Sequence, residues 1–109
     1  MIVAYRDLVV LESGDAQASR VAVSGEIDLS NSNELAAVLA SAASNAPALL
    51  EIDLSAVTFM DSHGLMRLLE AHKRAVSAGR RVLIANPSNV VRRLFEVSGV
   101  DQILEMVDD

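Results

Sequence analysis

The sequence has no cysteine and no tryptophan. The first absence removes disulfides, thiolate nucleophiles and sulfur-ligated metal sites, and it leaves the redox compartment undetermined. Aromatic residues are only 3% of the chain, so the stacking platforms that single-stranded nucleic acids need are missing. Positive charge is scarce as well: 9 Lys and Arg face 15 Asp and Glu, for a net charge of -6 at pH 7. A phosphate-tracking surface needs clustered cations, and Arg80, Arg81, Arg92 and Arg93 are too few to reverse the balance. Nucleic acid is therefore not an expected partner. No apolar run approaches the ~18 residues that cross a bilayer, so membrane insertion is not expected either. The opening "MIVAYRDLVVLE" lacks the basic region, apolar run and small-residue cleavage site of a secretion signal, which makes the cytoplasm the expected location.

What is present is aliphatic. Ala, Val and Leu dominate an apolar fraction of 51%, and 109 residues suffice for one core that buries roughly two thirds of the unfolded surface. Neither an internal repeat nor a low-complexity linker interrupts the chain, so residues 1–109 are read as a single domain.

Val, Ile and Leu fill residues 2–11, and the polar "ESGDAQASR" leads into "VAVSGEIDL" at 21–29, which predicts an antiparallel first strand pair. The stretch "SNSNELAAVLASAASN" supplies N-cap candidates at Ser30 to Asn33, with Asn31 and Glu34 at capping-box spacing. Leu35, Val38, Leu39 and Ala42 then share one helical face. After Pro47, "ALLEIDL" at 48–54 reads as a central strand whose apolar character continues through Val57 and Phe59. A second helix follows Ser62, with Leu65, Leu68, Leu69, His72 and Val76 on its stripe and Gly79 as its stop. "RRVLIAN" at 80–86 reads as a buried strand, "PSNVVRRLFEVSG" as a third helix that buries Val91, Leu94 and Phe95, and "QILEMV" as a last short strand. Strands alternating with helices imply parallel pairings joined by right-handed crossovers. The fold class is thus α/β, a small mixed sheet of four to five strands with helices packed on it.

The stretch "FMDSHGLM" at 59–66 sets an acid, a hydroxyl and an imidazole between apolar segments. A nucleophile elbow would need Gly two positions before the serine, and Met60 stands there. Ser62 and His63 also project about 100° apart at a helix start, which is poor geometry for a serine-to-imidazole bond. His63 and His72 fall on nearly opposite faces of one helix, so they do not build a metal site, and neither a metal nor another cofactor is expected. His72 reads as a partly buried core residue. Glu26 and Asp28 share a face of an extended segment, while Glu51 and Asp53 read as strand residues near a solvated edge. A different reading makes Ser62 a surface hydroxyl at a helix N-terminus, where exposed N–H groups and the helix dipole tolerate an added phosphate. Gly64 is expected to leave its approach open. Asp61 and Ser62 are equally ordinary helix caps, and both roles are compatible.

Three segments, "GEIDLSNSNEL", "VTFMDSHGLMRLL" and "ANPSNVVRRLFEVSGV", resemble the bacterial anti-sigma factor antagonists, whose domain is called STAS. The most specific match is Asp61-Ser62-x-Gly64-Leu65, supported by Gly25-Glu26-x-Asp28 and Leu94-Phe95-x-x-Ser98-Gly99 in order along the chain. The resemblance implies a non-enzymatic switch. The serine matching Ser62 would be phosphorylated by an anti-sigma factor that is also a serine kinase, only the unphosphorylated form would bind it and free a sigma factor, and a phosphatase would reset the system. ATP and magnesium would belong to the kinase. Asp61 would position the Ser62 hydroxyl, Asp28 would lie in the adjacent partner-binding loop, and Gly64 and the helix entrance would complete the interface. Two positions depart from the family pattern, since His63 and Met66 stand where small residues are common, and both are expected to face outward and tune partner choice. The chain also stops soon after its last predicted strand, where many relatives continue into a further helix, so one packing surface is expected to be missing. The alternative is a STAS-type subunit of another assembly, such as a lipid-transport complex or a stress-signalling scaffold, with an esterase-like enzyme as the third class.

Overall fold

In the computed structural model, which describes residues 2–45 and 48–108, the first apolar run is not one strand but two. Residues Ile2–Tyr5 form β1 and Leu8–Gly14 form β2, paired antiparallel with Tyr5 opposite Leu8. The chain reverses through Arg6 and Asp7, with Arg6 at φ 42°. A two-residue hairpin needs a positive φ, which Gly or Asn usually supplies. Here Arg6 supplies it, its guanidinium 5.4 Å from the Tyr5 ring centroid. This corrects the expected count: the sheet has six strands rather than four to five.

The second reversal is held by Asp15, whose Oδ1 accepts the N–H groups of Gln17 and Ala18 at 2.8 and 3.1 Å. It leads into β3 (Ala18–Ile27), antiparallel to β2 and starting earlier than the sequence pattern suggests. From there each strand lies parallel to its predecessor: β4 (Leu49–Met60), β5 (Arg81–Ala85) and β6 (Glu105–Val107), in spatial order β1-β2-β3-β4-β5-β6. The crossovers are α1 (Ser32–Asn45), α2 (Ser62–Ser77) and α3 (Asn89–Ser98). Pro47, read as the break before β4, lies outside the described residues.

Right-handed crossovers that advance across a sheet in one direction deliver their helices to one face. The core shows it. Leu35, Val38 and Leu39 of α1, Leu65 and Leu68 of α2 and Val91 and Phe95 of α3 form one cluster with Val10, Val21, Ile52, Leu54 and Ile84 of the strands. Ser88 caps α3 by accepting the N–H of Val91, and Gly99 ends it in the left-handed conformation at φ 80°. A short 3-10 turn at Val100–Gln102 and the buried Leu104 precede β6, so the last strand is shorter than "QILEMV". The buried stripe of α2 is Gly64, Leu65, Leu68 and Ala75. Val76, expected on that stripe, is 59% exposed, because the buried face of the helix is centred on Gly64, Leu68 and Ala75 instead.

Candidate functional site

The sheet becomes irregular where the site begins. Along β4 the buried residues alternate through Leu50, Ile52 and Leu54, then fall at Val57 and Met60. Two register shifts against β3, between Ala22 and Ser24 and between Gly25 and Glu26, each give β4 one residue more than its partner. Such bulges bend a strand and re-aim its end. As a result Met60 pairs with Ile27, and both strands finish side by side. The segments that leave them, the Asp28 loop and the Asp61-Ser62 entrance of α2, are therefore neighbours. Asp61 N–H donates to the Ile27 carbonyl at 3.1 Å and fixes that juxtaposition.

Asp61 is the N-cap of α2. Its backbone is extended, and Oδ1 accepts the N–H of His63 at 2.8 Å and of Gly64 at 3.4 Å. Oδ2 lies 3.3 Å from His63 Nδ1. Partial burial pushes the Asp61 carboxyl up, but the His63 N–H, the His63 ring and the Gly64 N–H outweigh it and hold it below its ordinary 3.8. Ser62 is the first residue of the helix and is exposed. Asp61 thus uses its carboxylate on the two following amides and the His63 ring. The acid, hydroxyl and imidazole of "DSH" are not a relay: among the described residues no hydrogen bond joins Ser62 to His63.

The remaining members of the stretch divide by direction. Met66 is 53% exposed, one turn beyond Ser62 on the same side of the helix. His63 is partly exposed. Gly64, expected to leave the hydroxyl accessible, points the other way and is buried. A Cβ there would lie 2.5 Å from Ile27 Cγ2 and 2.9 Å from Met60 Cγ. The missing side chain lets the helix entrance sit against the ends of β3 and β4. Farther along α2, His72 is partly buried beside Leu69, Val76 and Ile103, away from this entrance.

Asp28 lies just past the end of β3, so it does not share a strand face with Glu26. Its Oδ1 accepts both the N–H and the hydroxyl of Ser30, at 2.8 and 2.6 Å, which closes the loop on itself. Gly25, at φ 95°, admits the β1–β2 turn beneath this loop, where Glu26 N–H donates to the Asp7 carbonyl at 2.8 Å.

Two residues, Asn31 and Arg67, do more here than the sequence pattern assigns them. Asn31 was read as a helix cap, but its side chain turns back: Nδ2 donates to the Glu26 carbonyl at 2.8 Å and Oδ1 accepts the Asp28 N–H at 3.0 Å. It is 1% exposed and latches the loop from inside. Arg67 bridges the two helices, donating to Glu70 Oε1 at 2.7 Å and to Asn33 Oδ1 at 3.2 Å. The "SNSN" run offered several polar residues; Ser32 is as buried as Asn31, and what distinguishes Asn31 is the pair of side-chain hydrogen bonds it makes back to the loop. Leu29 and Phe59, both exposed, add apolar surface beside the two strand ends. Among the described residues no group of three or more His, Asp or Glu side chains converges as a metal site would, and no helix is long and apolar enough to cross a membrane.

Comparison with known proteins agrees with this geometry. A family model described as "Mlab, STAS domain" matches residues 10–107. Among solved structures, an anti-sigma factor antagonist from Mycobacterium paratuberculosis is 29% identical, with a TM-score of 0.77 over 95% of this chain and 89% of that one. The anti-sigma factor antagonist SpoIIAA in its unphosphorylated form is 21% identical, with a TM-score of 0.78 over 92% of this chain and 87% of that one. The Bacillus cell fate determinant SpoIIAA in its phosphorylated form is 20% identical, with a TM-score of 0.73 over 92% of this chain and 90% of that one.

Proposed function

The chain belongs to the STAS-domain family, and on that footing we propose that it is an anti-sigma factor antagonist switched by phosphorylation of Ser62. Its unphosphorylated form binds an anti-sigma factor that is also a serine kinase, and a sigma factor is released. A phosphatase reverses the modification. The chain itself is a cytoplasmic binding module and not an enzyme, so ATP and magnesium are the kinase's concern.

The observation that carries this reading is the exposed Ser62 at the first position of α2, beside a carboxylate that already occupies the His63 and Gly64 amides. A phosphate usually finds a cradle in the free N–H groups of a helix start. Here two of those donors are taken. A phosphate on Ser62 would add roughly -1.5 to -2 charges next to Asp61 and stand outward, facing whatever docks there. Asp28, His63 and Met66 contribute contact surface around it. Gly64 acts indirectly, by seating the helix entrance.

The test uses the wild type, Ser62→Ala and Ser62→Asp with the cognate kinase and ATP. Phosphate incorporation should vanish in both variants. Partner binding should persist in Ser62→Ala and drop at least tenfold in Ser62→Asp. Equal incorporation and equal binding in all three would sink the proposal. The second reading, a STAS-type subunit of another assembly, is favoured by the Mlab description of the matching family model. Co-purification of a transporter ATPase, with affinity indifferent to Ser62→Asp, would select it.

A further inference from the structure

The C-terminal half of α2 carries an uncovered apolar surface. Val76 is 59% exposed on it, and Ile103, on the turn before β6, is 55% exposed beside it. With the partly buried Leu69 they wall an open groove of about 360 Å³, which His72, Lys73 and Ser77 complete.

The polar groups of this groove can all donate. Lys73 is the single lysine of a chain with a net charge of -6, and among the described residues it has no counter-ion. His72 Nδ1 is buried without a hydrogen-bond partner. A proton there would leave an N–H with no acceptor, so the ring carries it on Nε2 and presents a donor at its open edge, the edge that lines the groove. Ser77 adds a hydroxyl that is free to rotate. The neighbouring carboxylates do not answer these groups. Glu70 is bonded to Arg67 and Glu105 to Arg81, while Asp101, on the preceding 3-10 turn, is not part of the lining.

We infer that the groove binds a small amphiphilic anion, its aliphatic chain along Leu69, Val76 and Ile103 and its carboxylate at the Lys73 ammonium and the His72 Nε2–H. Charge selects the head, because an unpaired ammonium and an imidazole N–H make charge-assisted bonds to a carboxylate and have nothing to offer a cation. Size selects a small ligand over a protein. The lining runs from Leu69 to Ser77, about 12 Å along the helix, and its volume falls in the range of small-molecule sites, whereas a standard protein interface buries about 800 Å² on each side. The groove lies on the half of α2 remote from Ser62, so the inference does not rest on the proposed switch.

Octanoate is the probe that tests it. Reductive methylation with isotope-labelled formaldehyde keeps the charge of Lys73 and makes it the single labelled side chain in the NMR spectrum. Titrated from about 0.1 to about 10 mM, octanoate should shift that signal and saturate with Kd on the order of 1 mM, as fits about ten non-hydrogen atoms in an open groove. Acetate, which lacks the chain, and octylammonium, which reverses the charge, should bind at least tenfold more weakly. Val76→Ser with Ile103→Ser should raise the octanoate Kd at least fivefold and barely move the unfolding midpoint, because both side chains are more than half exposed. Lys73→Gln and His72→Phe, followed by the backbone amides of α2, should each raise it at least threefold, while Ser62→Ala should leave it unchanged. Failure to saturate by about 10 mM, acetate or octylammonium binding as tightly as octanoate, or binding that survives both the apolar and the Lys73 substitutions would each overturn the inference. So would octanoate shifts confined to another face of the protein, such as that of Val9 and Leu11.

Discussion

The entrance of α2 and the outer face of the sheet are both surfaces, but they are specified in opposite ways. At the entrance nearly every backbone group has an assigned partner: Asp61 serves His63 and Gly64, Ile27 receives Asp61, and Asn31 closes the loop from within. Glycine stands where a Cβ would strike a neighbour. On the outer face, away from the helices, the backbone is paired by the sheet and side-chain bonds are few, chiefly Asp53 with Ser55 and Arg20 with Glu51, while apolar side chains such as Val9 and Leu11 meet by proximity. A surface built from hydrogen bonds and close approach tolerates few substitutions, whereas one built from spare aliphatic area tolerates many.

The contrast can be broken in order of expected effect, with far-UV circular dichroism as the probe because the chain has no tryptophan. Gly25→Ala should be the most damaging. It forces an L side chain to φ 95° and sets its Cβ 2.0 Å from the Asp7 carbonyl oxygen, a backbone atom. Urea unfolding should show a loss of about 3 kcal/mol or more. Gly64→Ala meets the side chains of Ile27 and Met60 instead, which can shift, and better helix propensity offsets part of the clash. The loss should be about 1–3 kcal/mol, with a compensating Ile27→Val recovering some of it.

Asp61→Ala removes the cap and should cost about 1 kcal/mol at neutral pH. The sign of its pH dependence follows from the carboxyl lying below 3.8 in the folded state. Its stabilisation is fully present above the unfolded value and is lost as pH falls through the lower, folded one. The gap between wild type and Asp61→Asn in urea midpoint should therefore be constant from neutral pH down to about 5 and close under more acidic conditions. A gap that survives at pH 2 would mean that shape, not charge, makes the cap. Smallest of all, Val9→Thr should change stability by less than about 0.5 kcal/mol, since the residue is half exposed on a face without a cover. If Val9→Thr costs as much as Gly64→Ala, the outer face is as tightly specified as the entrance and the contrast fails.

What the sequence disclosed follows the same division. Signals local to a few residues were legible: the Asp61 cap, the glycine that ends α3, and the alternation of strands and helices that fixes parallel crossovers. The β1–β2 hairpin was not, because Arg6 and Asp7 carry no turn signature and the apolar run continues across them. Nor was the role of Gly64. Its reason is Ile27, distant in sequence and brought close only by the shifted register of β4 against β3. Asn31 shows the limit from another side: its residue type fits a helix cap, and only tertiary burial turns the amide toward Glu26 and Asp28. The buried face of α2, which includes Ala75 and leaves Val76 exposed, likewise depends on which neighbours the helix meets.

The bond from Asp61 N–H to the Ile27 carbonyl has a kinetic corollary. It joins the Asp28 loop and the first turn of α2 into a single unit, so neither must be ordered when a partner arrives. Association of the proposed partner at this surface should then proceed at about 10⁵–10⁷ M⁻¹s⁻¹, the range set by diffusion and orientation. Changes in affinity at Ser62 should accordingly be read in how long a complex lasts rather than in how fast it forms.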